Sequence, residues 1–267
     1  MSAPLVTHGM PFEQYLAVDA ISAHGLMQIE RSPAHFDHAR RQTHAPTPAQ
    51  ALGTLTHLAI LEPEEYARRV RVAPDCDRRT KAGKEVYAAF DAEVGQIPGA
   101  VVVTPDQDAR ARGMREAVMH QPFARALLAD GHAEVTLRWD LEATACKARP
   151  DFICVGHEAI VDLKTAADAS PDAFAKSAGN WRYHLQTAWY ADAAVTCGLG
   201  ERAFVFLVVE PEPPHAAALY QLDEVSVESG RARYRRALDI YRECAAVGRW
   251  PGYSHQIQTI GVPRWAL

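Results

Sequence analysis

The run RAFVFLVVE, residues 202–210, constrains the fold more than any other stretch. Its apolar positions do not alternate with polar ones, so the strand they form needs cover on both faces. Upstream, WRYHLQTAWYADAAVTCG reads as a helix closed near Gly198, and AADASPDAFAKSAGN before it as a polar linker. From residue 133, three strand-like runs (AEVTLRW, EATACKARPDFI and EAIVDLK) are joined by short turns and read as an antiparallel meander. HAAALYQL pairs with the apolar run across the PEPP turn. Three strands, a crossover helix and two more strands give a small mixed sheet with helices around it, an α/β fold with a helical N-terminal part.

That N-terminal part holds ISAHGLMQIERS, then SPAHFDHARR with Ser32 before a helix-starting proline. PTPAQALGTLTHLAILEPEEYARR follows as a helix of about four turns, with Pro63 marking its end or a new start. DRRTKAGKEVYAAFDAEVG, TPDQDARARGMREAVMH and the short QPFARALLAD read as further helices. A basic amphipathic helix, VESGRARYRRALDIYRECAAVG, and an irregular tail complete the chain. The 267 residues, 48% hydrophobic, suffice for one large domain. We divide it into a helical part over residues 1–130, a sheet core over 131–222, and a helix with tail over 223–267.

Composition narrows the function. Five cysteines, odd in number and without a C-x-x-C pair, argue for a reducing compartment and against a disulfide framework or a four-cysteine metal site. A basic-then-apolar leader pattern is absent and no apolar run approaches roughly 18 residues, so a cytoplasmic protein without membrane association is expected. The net charge of −5 does not advertise a polyanion partner, yet a local basic groove is compatible with it. There is no G-x-S-x-G for nucleophilic catalysis and no P-loop, so ATP is not required.

The chemistry lies in RPDFICVGHEAIVDLKT, residues 149–165, where Asp151, Asp162 and Lys164 interrupt apolar runs. Buried charges cost several kcal/mol, on the order of 3–5, unless paired or metal-bound. Alternation puts Ile160, Asp162 and Lys164 on one strand face, and an antiparallel turn lays the preceding strand, ending near Asp151, beside it. Two carboxylates that close repel unless a cation sits between them. Mg²⁺ fits such a pair, prefers oxygen ligands, lowers the pKa of a bound water and polarises a phosphoryl oxygen. Lys164 is then placed to orient the attacking water or to stabilise the developing phosphorane-like charge.

An isolated D-x-K is commonly a solvated salt bridge, but P-D-x10-D-x-K (Pro150-Asp151, then Asp162-Leu163-Lys164) is far more specific. It resembles the PD-(D/E)XK nuclease superfamily, whose αβββαβ core matches the element order. Gln186 and Tyr190 form Q-x-x-x-Y on one helix face, and Gly53 to His57 form G-x-x-x-H. In this order the four motifs resemble the RecB-type branch. ISAHGLMQIERSPAHF, GTLTHLAILEPEEY, RTKAGKEVY, YHLQTAWYADA and the closing W-x-GY…VPRWA further resemble the RecE-type (exonuclease VIII-like) exonuclease domain of phages and prophages, over nearly the whole chain.

The resemblance implies metal-dependent 5′→3′ degradation of one strand of linear double-stranded DNA. That would leave 3′ overhangs for a single-strand annealing protein, and a ring-shaped homotetramer would thread the DNA. It implies metal binding by Asp151, Asp162, the His57 imidazole and the backbone carbonyl of Leu163, with Glu134 at an acidic position some relatives use near the metal. Lys164 would be the catalytic lysine, and Gln186 and Tyr190 would line the cleft. A histidine ligand makes Mn²⁺ a natural substitute for Mg²⁺. Arg79, Lys81 and Lys84 in RRTKAGK, Arg149 beside the metal motif and Arg182 near Gln186 are candidate phosphate contacts. Two alternatives stay open at this level: a structure-specific or single-strand DNA nuclease on the same scaffold, and a non-catalytic DNA-end-binding subunit. On this reading, Asp162→Ala abolishes Mg²⁺-dependent cleavage with the fold intact. Lys164→Ala lowers turnover far more than metal affinity, as parallel cleavage and metal titrations would show.

Overall fold

The computed structural model describes residues 3–42 and 45–262. A short strand β1 (Leu5–Thr7) and helix α1 (Phe12–Ala17) come first. Local capping then marks one helix start after another. Ser22 caps α2 (Ala23–Arg31), and Ser32, followed by proline at the first helical position, caps α3 (Pro33–Ala39). A capping box of Thr47 and Gln50 opens α4 (Pro48–Leu61), and Pro63 ends it by starting α5 (Pro63–Arg69). Next come β2 (Val70–Val72), α6 (Lys81–Val94) and β3 (Val101–Val103). Helices α7 (Pro105–His120), with a second capping box, and α8 (Pro122–Leu127) close the helical part. Pairing of β2 with β3 is parallel and makes a small separate sheet that two three-residue segments, VRV and VVV, did not announce.

The expected meander is more elaborate. It comprises β4 (Gly131–Ala133), β5 (Thr136–Leu141), β6 (Thr144–Ala148), β7 (Phe152–Cys154) and β8 (Ala159–Thr165). The first two of the three runs each break in the middle. Glu134 adopts a left-handed φ of 54°, and Pro150 has no N–H for a ladder. The far halves, β5 and β6, join β1 in a three-stranded sheet, while β4 and β7 stay with β8. Asp151 therefore precedes its strand rather than ending one. The supposed linker is also a helix, α9 (Pro171–Asn180), started by Ser170-Pro171; α10 (Tyr183–Thr196) follows. Strands β9 (Ala203–Val209) and β10 (Ala217–Tyr220) and the long helix α11 (Glu224–Val247) finish the described fold. The W-x-GY segment lies in the irregular tail, whereas all but the first residue of VPRWA falls outside the described residues.

The main sheet has the order β10-β9-β8-β7-β4, with β8 and β9 parallel and the other pairs antiparallel. Residues 204–209 of β9 are all buried, as their unbroken apolarity requires. One face, with Val161, Leu163, Val205 and Leu207, packs on α4, α7 and α8 through Ile60, Met114, Val118 and Ala124. The other, with Ile160, Phe204, Phe206 and Val208, packs on Phe174 of α9 and Ala194 of α10. Asp162 and Lys164 share that second face by strand alternation, opposite α10.

Beside the site, buried Lys147 on β6 donates to three carbonyls at the end of α1, those of Tyr15 (2.9 Å), Leu16 (3.2 Å) and Val18 (2.7 Å). Charge-assisted bonds of this kind are each worth about 1.5–3 kcal/mol. Lys147→Ala leaves the three carbonyls without their donor. It should lower stability by about 3 kcal/mol in urea denaturation, through loss of α1 docking.

Candidate active site

The site begins where a ladder stops. Strands β7 and β8 pair Phe152 with Val161, so continuing the register sets Asp151 beside Asp162 and Pro150 beside Leu163. Proline offers no N–H to the Leu163 carbonyl. His57 of α4 takes that place, its Nε2 2.9 Å from Leu163 O, while Leu163 N–H donates to Asp151 Oδ2 at 2.8 Å. The opposite neighbour extends the same rung. Ala133 pairs with Phe152, which brings Glu134 next to Asp151, and Glu134 N–H donates to the Asp151 carbonyl at 2.9 Å. Glu134, Asp151 and Asp162 thus stand in one row across three adjacent strands.

Three carboxylates in a row strain the electrostatics. Burial and the charge of Asp162 push Asp151 up to about 8. Burial and Asp151 raise Glu134 against the pull of Arg149, whose Nε lies 2.5 Å from Glu134 Oε2. His57 is held below its usual value by burial and by Lys164, which keeps the imidazole neutral. Because a carbonyl only accepts, Nε2 carries the proton and Nδ1 keeps its lone pair, 3.7 Å from Asp151 Oδ2. One ligand atom each from His57, Glu134 and Asp151 can be chosen with all three within 4.8 Å of one another. Two oxygen donors, a neutral imidazole and surplus buried negative charge fit a divalent cation.

Asp162 is arranged differently. It is 0% exposed, one oxygen in an ion pair with Lys164 Nζ and the other accepting from Gln186 Nε2 at 2.8 Å. Lys164 Nζ also lies 3.4 Å from Gln186 Oε1 and 4.8 Å from the ring centre of Tyr183. Burial alone would lower the lysine, but Asp162 and Asp151 outweigh it and raise it, so Lys164 is an ammonium. Tyr190, one turn beyond Gln186, hydrogen-bonds to it and is raised well above the ordinary phenol by burial. Removing Asp162 outright would strand a buried cation, a loss of about 3–5 kcal/mol, so Asp162→Ala is not silent for the fold and Asp162→Asn is the cleaner variant.

The structure brings together His57, Glu134, Asp151, Asp162, Leu163, Lys164, Gln186 and Tyr190. It separates the candidate phosphate contacts. Arg149 is enclosed, its side chain 10% exposed and bonded to Glu134, Met10 O (2.8 Å) and Thr136 Oγ1 (3.2 Å). It anchors the acidic cluster instead of reaching outward. Arg182 is likewise tied, Nε 2.6 Å from Glu30 Oε2. Arg79 pairs with Asp77, and Lys81 and Lys84 are exposed at the start of α6, in the β2–α6–β3 unit. The Leu163 carbonyl already accepts from His57, with its second lone pair left over. Several arginines of the basic helix α11 are engaged within the chain: Arg231 with Asp192, Arg233 with Glu30 and Arg242 with Glu142. Tyr183 is the site residue that sequence reasoning missed. Its signal was present, since Tyr183, Gln186 and Tyr190 recur at helical spacing.

A mixed sheet carrying acidic groups on one rung and a lysine two residues further along the same strand face, with helices on both faces, is the PD-(D/E)XK nuclease fold. The chain belongs to the family described as "PDDEXK-like domain of unknown function (DUF3799)", which matches residues 22–262. A crystal structure from Eubacterium rectale, described as "Putative exonuclease", superposes with a TM-score of 0.59 over 96% of this chain and 97% of that one. At 11% identity this likeness shows the fold. A second structure, SSO0001, is 14% identical over 72% of this chain and 84% of its own, and its TM-score of 0.30 carries no argument. No curated protein matches the chain in sequence.

A metal-binding site of this kind should show in thermal melts. Mg²⁺ or Mn²⁺ at about 100 times its Kd should raise Tm by about 5–10 °C, and Asp151→Asn should erase that shift. Without metal, the asparagine variant should melt at or above the wild type, since its oxygen still accepts from Leu163 N–H. Its advantage should grow as pH rises from about 4 to about 8, because a carboxyl raised by folding opposes the fold once ionised. An equal metal shift in variant and wild type would refute the ligand assignment.

Proposed function

We propose that this chain is a divalent-metal-dependent, ATP-independent exonuclease that hydrolyses phosphodiesters of linear double-stranded DNA. The observation that carries this reading is the row Glu134–Asp151–Asp162, with neutral His57 against Asp151 and ammonium Lys164 paired with Asp162. His57, Glu134 and Asp151 would hold the cation, with Asp162 and the Leu163 carbonyl beside them. When bound, such an ion, Mg²⁺ or in its place Mn²⁺, supplies charge neutralisation at the phosphate and a water of lowered pKa.

The protein groups do the rest. Lys164, fixed by Asp162, Gln186 and the Tyr183 ring, presents an N–H to the attacking water or to the phosphoryl oxygen that gains charge. Gln186 bridges Asp162 and Lys164, and Tyr190 braces Gln186, so the ammonium is positioned before substrate arrives. Arg149 holds Glu134 towards the cluster. The likeness, over nearly its full length, to the Eubacterium rectale protein described as an exonuclease supports exonucleolytic action. A cytoplasmic location accords with the scattered, odd-numbered cysteines. Polarity from 5′ to 3′, 3′ overhangs passed to a single-strand annealing protein and a ring tetramer follow from the RecE-type resemblance. So do phosphate contacts by Arg79, Lys81 and Lys84. Among the described residues no helix is long and apolar enough to cross a membrane.

Linear duplex DNA labelled separately at its 5′ and 3′ ends tests this reading. Early loss of 5′ label, dependent on Mg²⁺, independent of ATP and lowered at least about 100-fold by Lys164→Ala, is the expected result. Cutting confined to flaps or single strands would instead favour the structure-specific reading. Intact DNA of every form, alongside retained end binding, would make the chain a DNA-end binder.

A further inference from the structure

The turn between α9 and α10 holds features that the hydrolytic row does not use. Trp181 closes α9 with its N–H 2.8 Å from Ser177 O, yet its side chain is unpacked and the residue is 67% exposed. Two residues on, Tyr183 is folded inward, its ring stacked on Phe206 and set against the Lys164 ammonium. Between them Arg182 adopts φ 57°, a left-handed conformation uncommon for any residue but glycine. Glu30 of α2 holds Arg182 there, and the same carboxylate accepts from Arg233 of α11 at 2.5 Å. The reversal is thus anchored by two other helices, and it sends one aromatic ring in against Lys164 while its neighbour stays in solvent.

Strained backbone kept in place by its surroundings marks positions where geometry can serve a site. The guanidinium at this turn is tied to Glu30, so a phosphate contact is not what the turn offers. What it offers is a large free indole surface within two residues of the ring that touches the catalytic lysine. Indole faces stack on nucleobases of any identity, as a processive nuclease needs.

We infer that Trp181 is a stacking platform for a nucleobase of the DNA strand engaged at Lys164. The Arg182–Glu30 pair sets its position. This rests on the nuclease reading above, and the test separates the two.

Anisotropy with a fluorescent duplex, in Ca²⁺ to avoid cleavage, measures affinity for intact DNA and for DNA with an abasic residue walked through the terminal nucleotides. The wild type should lose about ten-fold at one or two adjacent abasic positions. Trp181→Ala should lose about ten-fold on intact DNA and nothing further on those abasic substrates, while Trp181→Phe keeps most of the affinity. An unchanged Tm shows that the variant is folded. Trp181→Ala binding like the wild type, or losing equally on intact and abasic DNA, overturns the platform, the latter pointing to a protein contact or surface change. Cleavage is scored separately on labelled DNA. Base-dependent binding without cleavage by the wild type removes the nuclease reading and leaves the platform, whereas absence of DNA binding overturns the platform itself.

Discussion

The missing N–H of Pro150 organises this molecule. Had residue 150 been able to donate, the β7–β8 ladder could have run on and the Leu163 carbonyl would have had a strand donor. Instead the pairing stops at Phe152, and two side chains complete the edge: Asp151 accepts from Leu163 N–H and His57 donates to Leu163 O. Those bonds fix the rotamers of two candidate metal ligands and join α4 to the sheet. The break also turns the chain, so that β5 and β6 leave for a second sheet. Glu134, at the matching bend of the neighbouring strand, is thereby left at the end of the row.

The charges gathered there oppose stability locally. Asp151 and Glu134 both sit above their ordinary values, burial being the first cause. The opposing contributions come from Arg149 on Glu134 and from Lys164 on Asp151. A cluster with so many acids in so little water is poised to accept a cation, and the surrounding apolar packing keeps it from relaxing. Packing on both faces of the sheet, from α4, α7 and α8 on one side and α9 and α10 on the other, supplies the rigidity that such an arrangement requires.

Much of this was legible residue by residue. Unbroken apolarity in β9, alternation in β8 and the Q-x-x-x-Y spacing in α10 each follow from the short periods of strands and helices, and all three hold in the structure. Where the reading failed, the signal was local but short or misweighted. Helix α9 carried a Ser-Pro start that its polar composition obscured, and strands of three residues lack the length to show a period. Arg149 and Arg182 looked like phosphate contacts because sequence shows charge and not the acid that meets it. Glu134 and Glu30 lie far from them along the chain and adjacent in space.

By itself, then, the sequence determined the sheet core, the face shared by Asp162 and Lys164, and the types of group that meet there. These depend on backbone periodicity and on the residues next in line. Tertiary structure alone decided that Glu134 joins Asp151 and Asp162 in one row, which nitrogen of His57 stays free, and which cations are consumed by internal partners. Those outcomes depend on register across strands and on helices brought from distant parts of the chain. The same holds at the α9–α10 turn: Trp181 and Tyr183 are similar residues in similar positions along the chain. Only the left-handed Arg182 between them, held by Glu30, sends one ring to the lysine and the other to solvent.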